Sequence, residues 1–237
     1  MEQIVKQIMF VLGLPGSGKS TAGRYTQKLA QKRGWVAKRF CDYDILYELY
    51  QLDKKQGGGR FEPTEYDGFD VHELEAFDEA LGELNSKVLN WVEEPSNKNK
   101  LCIVEFARDD YCTALEAFDP KLLPPTQNAY FLFFDADIPT CVRRIHARVA
   151  KPNAERTLDD HFVSNYIFNA YYQRDCRRYL ESTAFQLSEC FHIQENNIQV
   201  ITNTEETSLD IFEQKVEQAV SPIFKLAKED QKILALS

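Results

Sequence analysis

An apolar run, Gln7 to Leu12, breaks directly into Gly13-Leu14-Pro15-Gly16-Ser17-Gly18-Lys19-Ser20, and this junction constrains the fold more than any other part of the chain. A short, almost wholly apolar segment suits a parallel strand buried on both faces. The glycines that follow let consecutive backbone N–H groups turn inward, making a concavity for phosphate oxygens. Beyond them, Lys19 to Lys32 is polar and compatible with a helix, whose N-terminus favours anions. Strand, loop and helix in this order supply the context that the pattern G-x-x-x-x-G-K-[ST] needs. The segment is therefore read as a phosphate cradle, in which Lys19 neutralises β and γ phosphate charge and the Ser20 hydroxyl binds Mg²⁺.

The rest of the chain alternates in kind. Trp35 to Phe40 reads as a second strand and Asp44 to Leu52 as a short helix, after which Asp53 to Asp70, with Gly57, Gly58 and Gly59, has no clear period and reads as a mobile loop. Apolar residues at spacings of three and four from Val71 to Glu93 predict one long amphipathic helix, stopped by Pro95. Leu101 to Phe106, Tyr130 to Phe134 and Ile198 to Ile201 read as further buried strands, and Ser208 to Leu236 as one or two closing helices. Strands separated by helices imply right-handed crossovers, hence an α/β three-layer sandwich with a parallel sheet of about five strands. With 237 residues and no internal repeat or linker, a single domain is expected over 1–237. It would carry an acceptor-side insertion at about 44–93 and a lid at about 143–160, judged from the breaks in helical pattern.

The cysteines Cys41, Cys102, Cys112, Cys141, Cys176 and Cys190 include no C-x-x-C pair, which argues against zinc and a disulfide framework and for reduced, cytoplasmic thiols. The N-terminal apolar stretch is too short for a membrane span or secretory signal, so no membrane partner is expected. A net charge of −9 repels a nucleic-acid backbone, so no nucleic acid is expected either. The charge is unevenly placed: residues 60–83 hold nine carboxylates against Arg60, whereas 141–178 hold eight bases against four acids. An acidic protein that keeps one basic segment has a place for phosphate to face. Arg144 and Arg148, one helical turn apart in that segment, share a face and offer bidentate guanidinium groups to transferred phosphoryl oxygens. Arg143 precedes them and Arg156 is placed to complete a closure. Arg174, Arg177 and Arg178 read as a solvated helix surface.

Glu105 ends the strand LCIVE, at the sheet edge where ligands of open α/β sheets bind; the alternative is a carboxylate capping the next helix. Asp42 and Asp44 follow the second strand, either as acid and base groups or, for Asp44, as the start of a helix. Asp135 and Asp137 form a similar pair, with Asp137 before Pro139 reading as a helix start. His72, His146, His161 and His192 lack metal-ligand spacing and read as structural or exposed. Phe162, Tyr166, Phe168, Tyr171, Tyr172 and Tyr179 read as packing.

Taken together, these motifs resemble the P-loop kinases of the nucleoside and nucleotide kinase type, over Gln7 to about Val220. The resemblance implies the P-loop NTPase fold with a helical lid, binding ATP and Mg²⁺. It implies that Gly13, Leu14, Pro15, Gly16, Ser17, Gly18, Lys19, Ser20 and Thr21 hold the phosphates, and that Glu105 joins Ser20 at the metal. Asp42 or Asp44 would accept the proton of an acceptor hydroxyl, Arg144 and Arg148 would act at the phosphoryl, and Asn203 and Thr204 would lie against the purine. The pair Glu105 and Arg108 departs from the adjacent Glu-Arg or Asp-Arg of some relatives by standing three residues apart. The expected activity is transfer of the γ-phosphoryl of ATP to a small-molecule or nucleotide acceptor whose identity the sequence leaves open. The alternative is a nucleotide switch or regulatory ATPase acting through a protein partner. A GTPase is disfavoured because no N-K-x-D guanine-reading motif occurs.

Overall fold

The computed structural model describes residues 4–124, 129–152, 155–172 and 191–234. Seven strands and seven α-helices succeed one another along these segments: β1 (Lys6–Gly13), α1 (Lys19–Lys32), β2 (Val36–Cys41), α2 (Asp42–Gln56), β3 (Phe61–Pro63), β4 (Phe69–Val71), α3 (Glu75–Glu93), β5 (Lys100–Phe106), α4 (Tyr111–Glu116), β6 (Ala129–Asp135), α5 (Ile138–Val149), α6 (Asn165–Ala170), β7 (Ile198–Thr202) and α7 (Leu209–Leu234). Five strands form one parallel sheet in the order β2-β5-β1-β6-β7. This is the expected α/β architecture.

The sheet explains why its strands read as unbroken apolar runs. In β1, Ile8, Phe10 and Leu12 point into one core, and Met9 and Val11 into the other. Strand side chains alternate between faces, so a central strand covered on both sides is apolar at every position. α1 and α7 pack with Met9, Val11, Leu101 and Ile103 on one face, whereas α2, α3 and α5 pack with Phe10, Val104 and Phe131 on the other.

Register brings the functional edge together. Cys41 and Val11 both pair with Glu105, Gly13 with Phe134, and Asp135 with Thr202, so the carboxyl ends of the strands lie level. The chain leaves β1 for β2 on one side and returns from β5 to β6 on the other. β1 therefore ends at the point where connections diverge, the place where open α/β sheets leave a crevice.

The structure corrects the sequence reading of 53–70. α2 continues to Gln56, and β3 and β4 form an antiparallel hairpin pairing Phe61 with Val71 and Pro63 with Phe69, in place of a mobile loop. Gly57, with φ 114, closes α2 in the left-handed conformation. The lid is also less helical than expected. Beyond α5 the described part of 150–164 holds no α-helix, only 3₁₀ turns, at Leu158–Asp160 and at Glu155. Asp137 accepts from the Thr140 N–H and caps α5, as its position before Pro139 suggested. Among the described residues no helix is long and apolar enough to cross a membrane. No disulfide joins Cys41, Cys102, Cys112 or Cys141. Arg174, Arg177, Arg178, Tyr179, Cys176 and Cys190 lie outside the described residues.

Candidate active site

The loop between β1 and α1 is braced from three sides. The Tyr111 hydroxyl oxygen accepts the Gly13 N–H at 2.8 Å, and the Asn203 side chain donates to the Ser17 carbonyl at 2.8 Å. Gly16 has φ +83 and a Cβ there would stand 2.6 Å from the Cys141 carbonyl, so the loop packs on the first turns of α5 only because the residue has no side chain. Lys19 is buried, and its ammonium donates to the carbonyls of Gly13 (2.7 Å) and Leu14 (2.8 Å). Burial pushes its pKa down, against the pull of Glu105 and Asp42.

Glu105 is 3% exposed and caps no helix; α4 is capped by Asp110. Its Oε1 accepts from Ser20 Oγ at 2.5 Å and its Oε2 from Arg39 Nη1 at 2.8 Å. Arg39 also donates through Nη2 to Asp159 at 2.8 Å, and Arg24 donates to the other oxygen of Asp159. A chain of charges thus runs from the loop hydroxyl through Glu105 and Arg39 to the lid. Arg39 reaches Glu105 across α1 at Gly23, where a Cβ would lie 3.1 Å from Arg39 Cδ. Mg²⁺ takes hard oxygen ligands and keeps several waters, so it needs few protein groups. The Ser20 hydroxyl and the Glu105 carboxylate, already in contact at the cradle, fit that requirement. Among the described residues no group of three or more His, Cys, Asp or Glu side chains forms a metal cluster.

One cavity of about 430 Å³ contains these groups. Pro15, Gly16 and the run Gly18 to Thr21 line it, whereas Gly13, Leu14 and Ser17 do not. Asp42, Glu105, Arg144, Arg148 and Asn203 line it too. Asp44 and Thr204 do not. Asp44 lies two residues on from Asp42 in α2, roughly 200° round the helix, which turns it off the cavity. Thr204 comes after β7 has ended, and its carbonyl accepts from Thr140 Oγ1 at 3.4 Å.

Arg144 and Arg148 of α5 differ in their partners. Arg144 is committed to the segment after β7, donating to Asn203 O (2.7 Å), Glu205 O (3.1 Å) and the Glu206 carboxylate (3.2 Å). Its guanidinium is thus tied to 203–206 while the residue lines the cavity. Arg148 donates Nε–H to the His161 carbonyl at 2.9 Å, and its buried Nη2 has no partner among the described residues. Burial lowers its pKa to about 10, with Asp160, Tyr43 and Glu105 pulling the other way. Arg143 pairs with Glu206, and Arg156 donates to the Tyr66 carbonyl at 3.2 Å.

Asp42 and Arg108 form a buried ion pair, Oδ2 to Nη1 at 2.5 Å, and Arg108 also donates to Ala107 O and Phe77 O, both at 2.6 Å. The offset of Arg108 from Glu105 in sequence now has a reason: it serves Asp42. Asp42 Oδ2 further accepts the Ala107 N–H at 3.4 Å, and Oδ1 lies 3.9 Å from Cys41 Sγ. Sequence reasoning missed Arg24, Arg39, Asp159 and His161. The one signal for Arg39 was a charge inside a strand, paired in the fold with a glycine inside a helix. His161 is half-buried and stacks on Tyr43 with rings 12° apart, and desolvation together with Arg148 holds it well below its ordinary pKa. Phe168 is buried and Tyr171 stacks on Phe77, in line with packing roles, while Phe162 and the buried Tyr172 line the cavity.

Among solved structures, APS kinase of Mycobacterium tuberculosis, determined in complex with AMPPNP and APS, superposes over 92% of this chain and 99% of its own with a TM-score of 0.51 at 15% identity. This chain has the fold of that protein. Its core is the five-stranded sheet with its flanking helices. Shikimate kinase from Acinetobacter baumannii, in complex with shikimate, aligns over 93% of this chain and 95% of its own at 14% identity, with a TM-score of 0.45. No family model matches the sequence, and no curated protein matches it either.

Proposed function

We propose that the protein is an ATP-dependent phosphotransferase acting on a small-molecule acceptor, built as a single domain over 1–237 with its acceptor-side insertion at about 44–93 and its lid at about 143–160. The observation that carries this reading is the continuity of one cavity from the P-loop, past Lys19, Glu105 and Arg148, to Asp42 and an apolar lobe beyond. A switch that answers to a protein partner needs no such lobe.

Gly13 to Thr21 hold the phosphates of ATP, and Lys19 neutralises their charge. Ser20 and Glu105 would hold Mg²⁺, which when bound offsets charge on the β and γ oxygens. Asp42 orients the acceptor hydroxyl and takes its proton at Oδ1, while Arg108 holds the carboxylate in place through Oδ2. The acceptor oxygen then forms its bond to the γ-phosphorus as the bond to the ADP oxygen breaks. Arg148 places a guanidinium in a site sheltered from water, where fixed charge acts strongly on the transferring phosphoryl. Arg144 and Asn203 shape the base side, with Asn203 tied to the P-loop through Ser17.

Acceptor-dependent ADP release, measured with ATP and Mg²⁺ over nucleosides, nucleotides, sugars, aminoglycosides and simple alcohols, tests this. Release above the hydrolytic background with at least one acceptor is expected. ATP binding with no acceptor raising ADP release in any class would favour the regulatory ATPase.

A further inference from the structure

The lobe beyond Asp42 differs in character from the phosphate end of the cavity. Tyr43 and Leu46 reach it from α2, Phe69 and Val71 from β4, Phe77 from α3 and Ile167 from α6. The hairpin explains the β4 pair. With side chains alternating across a strand, Phe69 and Val71 face the cavity while Asp70 turns the other way and accepts from Ser164 Oγ at 2.8 Å. The rings on this side form a continuous wall: Tyr43 stacks on Phe69 at 5.6 Å, and Phe69 on Tyr50 at 4.7 Å.

Charge is arranged just as sharply. The cations lining the cavity are Lys19, Arg24, Arg144, Arg148 and Lys151, all on the P-loop, α1 or the α5 and lid side. At the lobe the ionised side chain is Asp42, and the arginine behind it spends both Nη groups on Asp42, Ala107 O and Phe77 O. The acids of 60–83 whose side chains are described are exposed, apart from Asp70. Their charge therefore lies outside the cavity and does not select for a cationic ligand.

Resting on the phosphotransferase reading above, we propose that the acceptor is a neutral alcohol with a largely apolar, preferably aromatic, body. Its hydroxyl meets Asp42 and its body fills the ring-lined lobe. A nucleoside monophosphate or sugar phosphate would place a dianion beside the Asp42 carboxylate and against apolar side chains, a repulsion and desolvation that Leu46, Phe69, Val71, Phe77 and Ile167 do nothing to offset. A sugar would leave several hydroxyls against apolar side chains without partners. An aromatic alcohol meets neither penalty and gains from burial of its ring.

The test uses the full chain with 2-naphthylmethanol, 2-phenylethanol, glucose and AMP as probes, in the presence of saturating AMPPNP and Mg²⁺. Binding is followed by ligand-detected NMR, and calorimetry with ATP is run separately. Both aromatic alcohols should bind more tightly than glucose, and than AMP at any site outside the P-loop. Val71→Thr, which keeps shape and adds a hydroxyl, and Phe69→Leu, which removes a ring, should each weaken naphthylmethanol by about tenfold while ATP affinity stays unchanged. Two independent variants guard against one of them failing to fold. Tighter binding of glucose or AMP in the lobe, or alcohol binding indifferent to both substitutions, overturns the proposal. Failure of the wild-type chain to bind ATP would instead remove the phosphotransferase reading, so the two outcomes stay distinct.

Discussion

Lys19 donates to two carbonyls of its own loop, which makes it a tie that shapes the turn, and the proposed function gives its charge to phosphate as well. Lys19→Ala is expected to abolish ATP·Mg²⁺ binding in a chain that still folds, because the surrounding core is apolar and independent of it; calorimetry measures this, and unchanged affinity would remove the cradle from the account. Arg108 shows the opposite case, a charge retained for another charge. Arg108→Met leaves the Asp42 carboxylate buried without its partner and should destabilise the protein by about 3 kcal/mol in denaturant unfolding, with much of the loss recovered when Asp42→Asn is added. His161 gives a pH-dependent signature. The unfolded chain takes up a proton here near the ordinary value of 6.5, whereas the folded chain resists it to much lower pH. Below pH 6.5 the unfolded state binds more protons, so the stability this residue contributes falls with pH; above that value it is constant. The Tm advantage of the wild type over His161→Gln should accordingly shrink between about pH 7.5 and about pH 5.

At the scale of elements, the joint between lid and sheet is Arg39, which holds Asp159 with one nitrogen and Glu105 with another. Arg39→Gln removes both ion pairs while keeping a hydrogen-bonding side chain. Hydrogen exchange is expected to accelerate at 157–161 while the amides of β1 and β5 keep their protection; equal protection of 157–161 in both proteins would show that the lid is held by other contacts. The sequence disclosed β1, β5 and β6 because both faces of each are buried, which leaves an unbroken apolar run. The same reasoning placed α3, since a surface helix with one buried stripe shows its period. It failed on β3 and β4. Strands of three residues are too short to show alternation, and their acids read as a solvated stretch. The Arg39 joint was illegible because pairing of a strand residue with a lid residue 120 positions away depends on topology.

For the whole molecule, the carboxyl ends of five parallel strands set the P-loop, Glu105 and Asp42 around one cavity, and α5 with the lid segment covers it. The P-loop was legible from local pattern alone, since its chemistry resides in consecutive residues. The division of labour between Arg144 and Arg148 was not, because both occupy the same face of α5 and only the position of 203–206 separates a clamp from a group facing phosphate. Phosphotransfer requires fixed positive charge where negative charge moves, and on the proposed function Arg148 is the group that would supply it. The most direct test is to measure turnover and ATP affinity side by side for the wild type and Arg148→Gln. Turnover lower by on the order of 10²-fold, with ATP affinity nearly unchanged, is the result predicted for a group that acts at the transferring phosphoryl. Small and equal changes in both quantities would contradict the account and leave Arg148 a support for His161 and the lid.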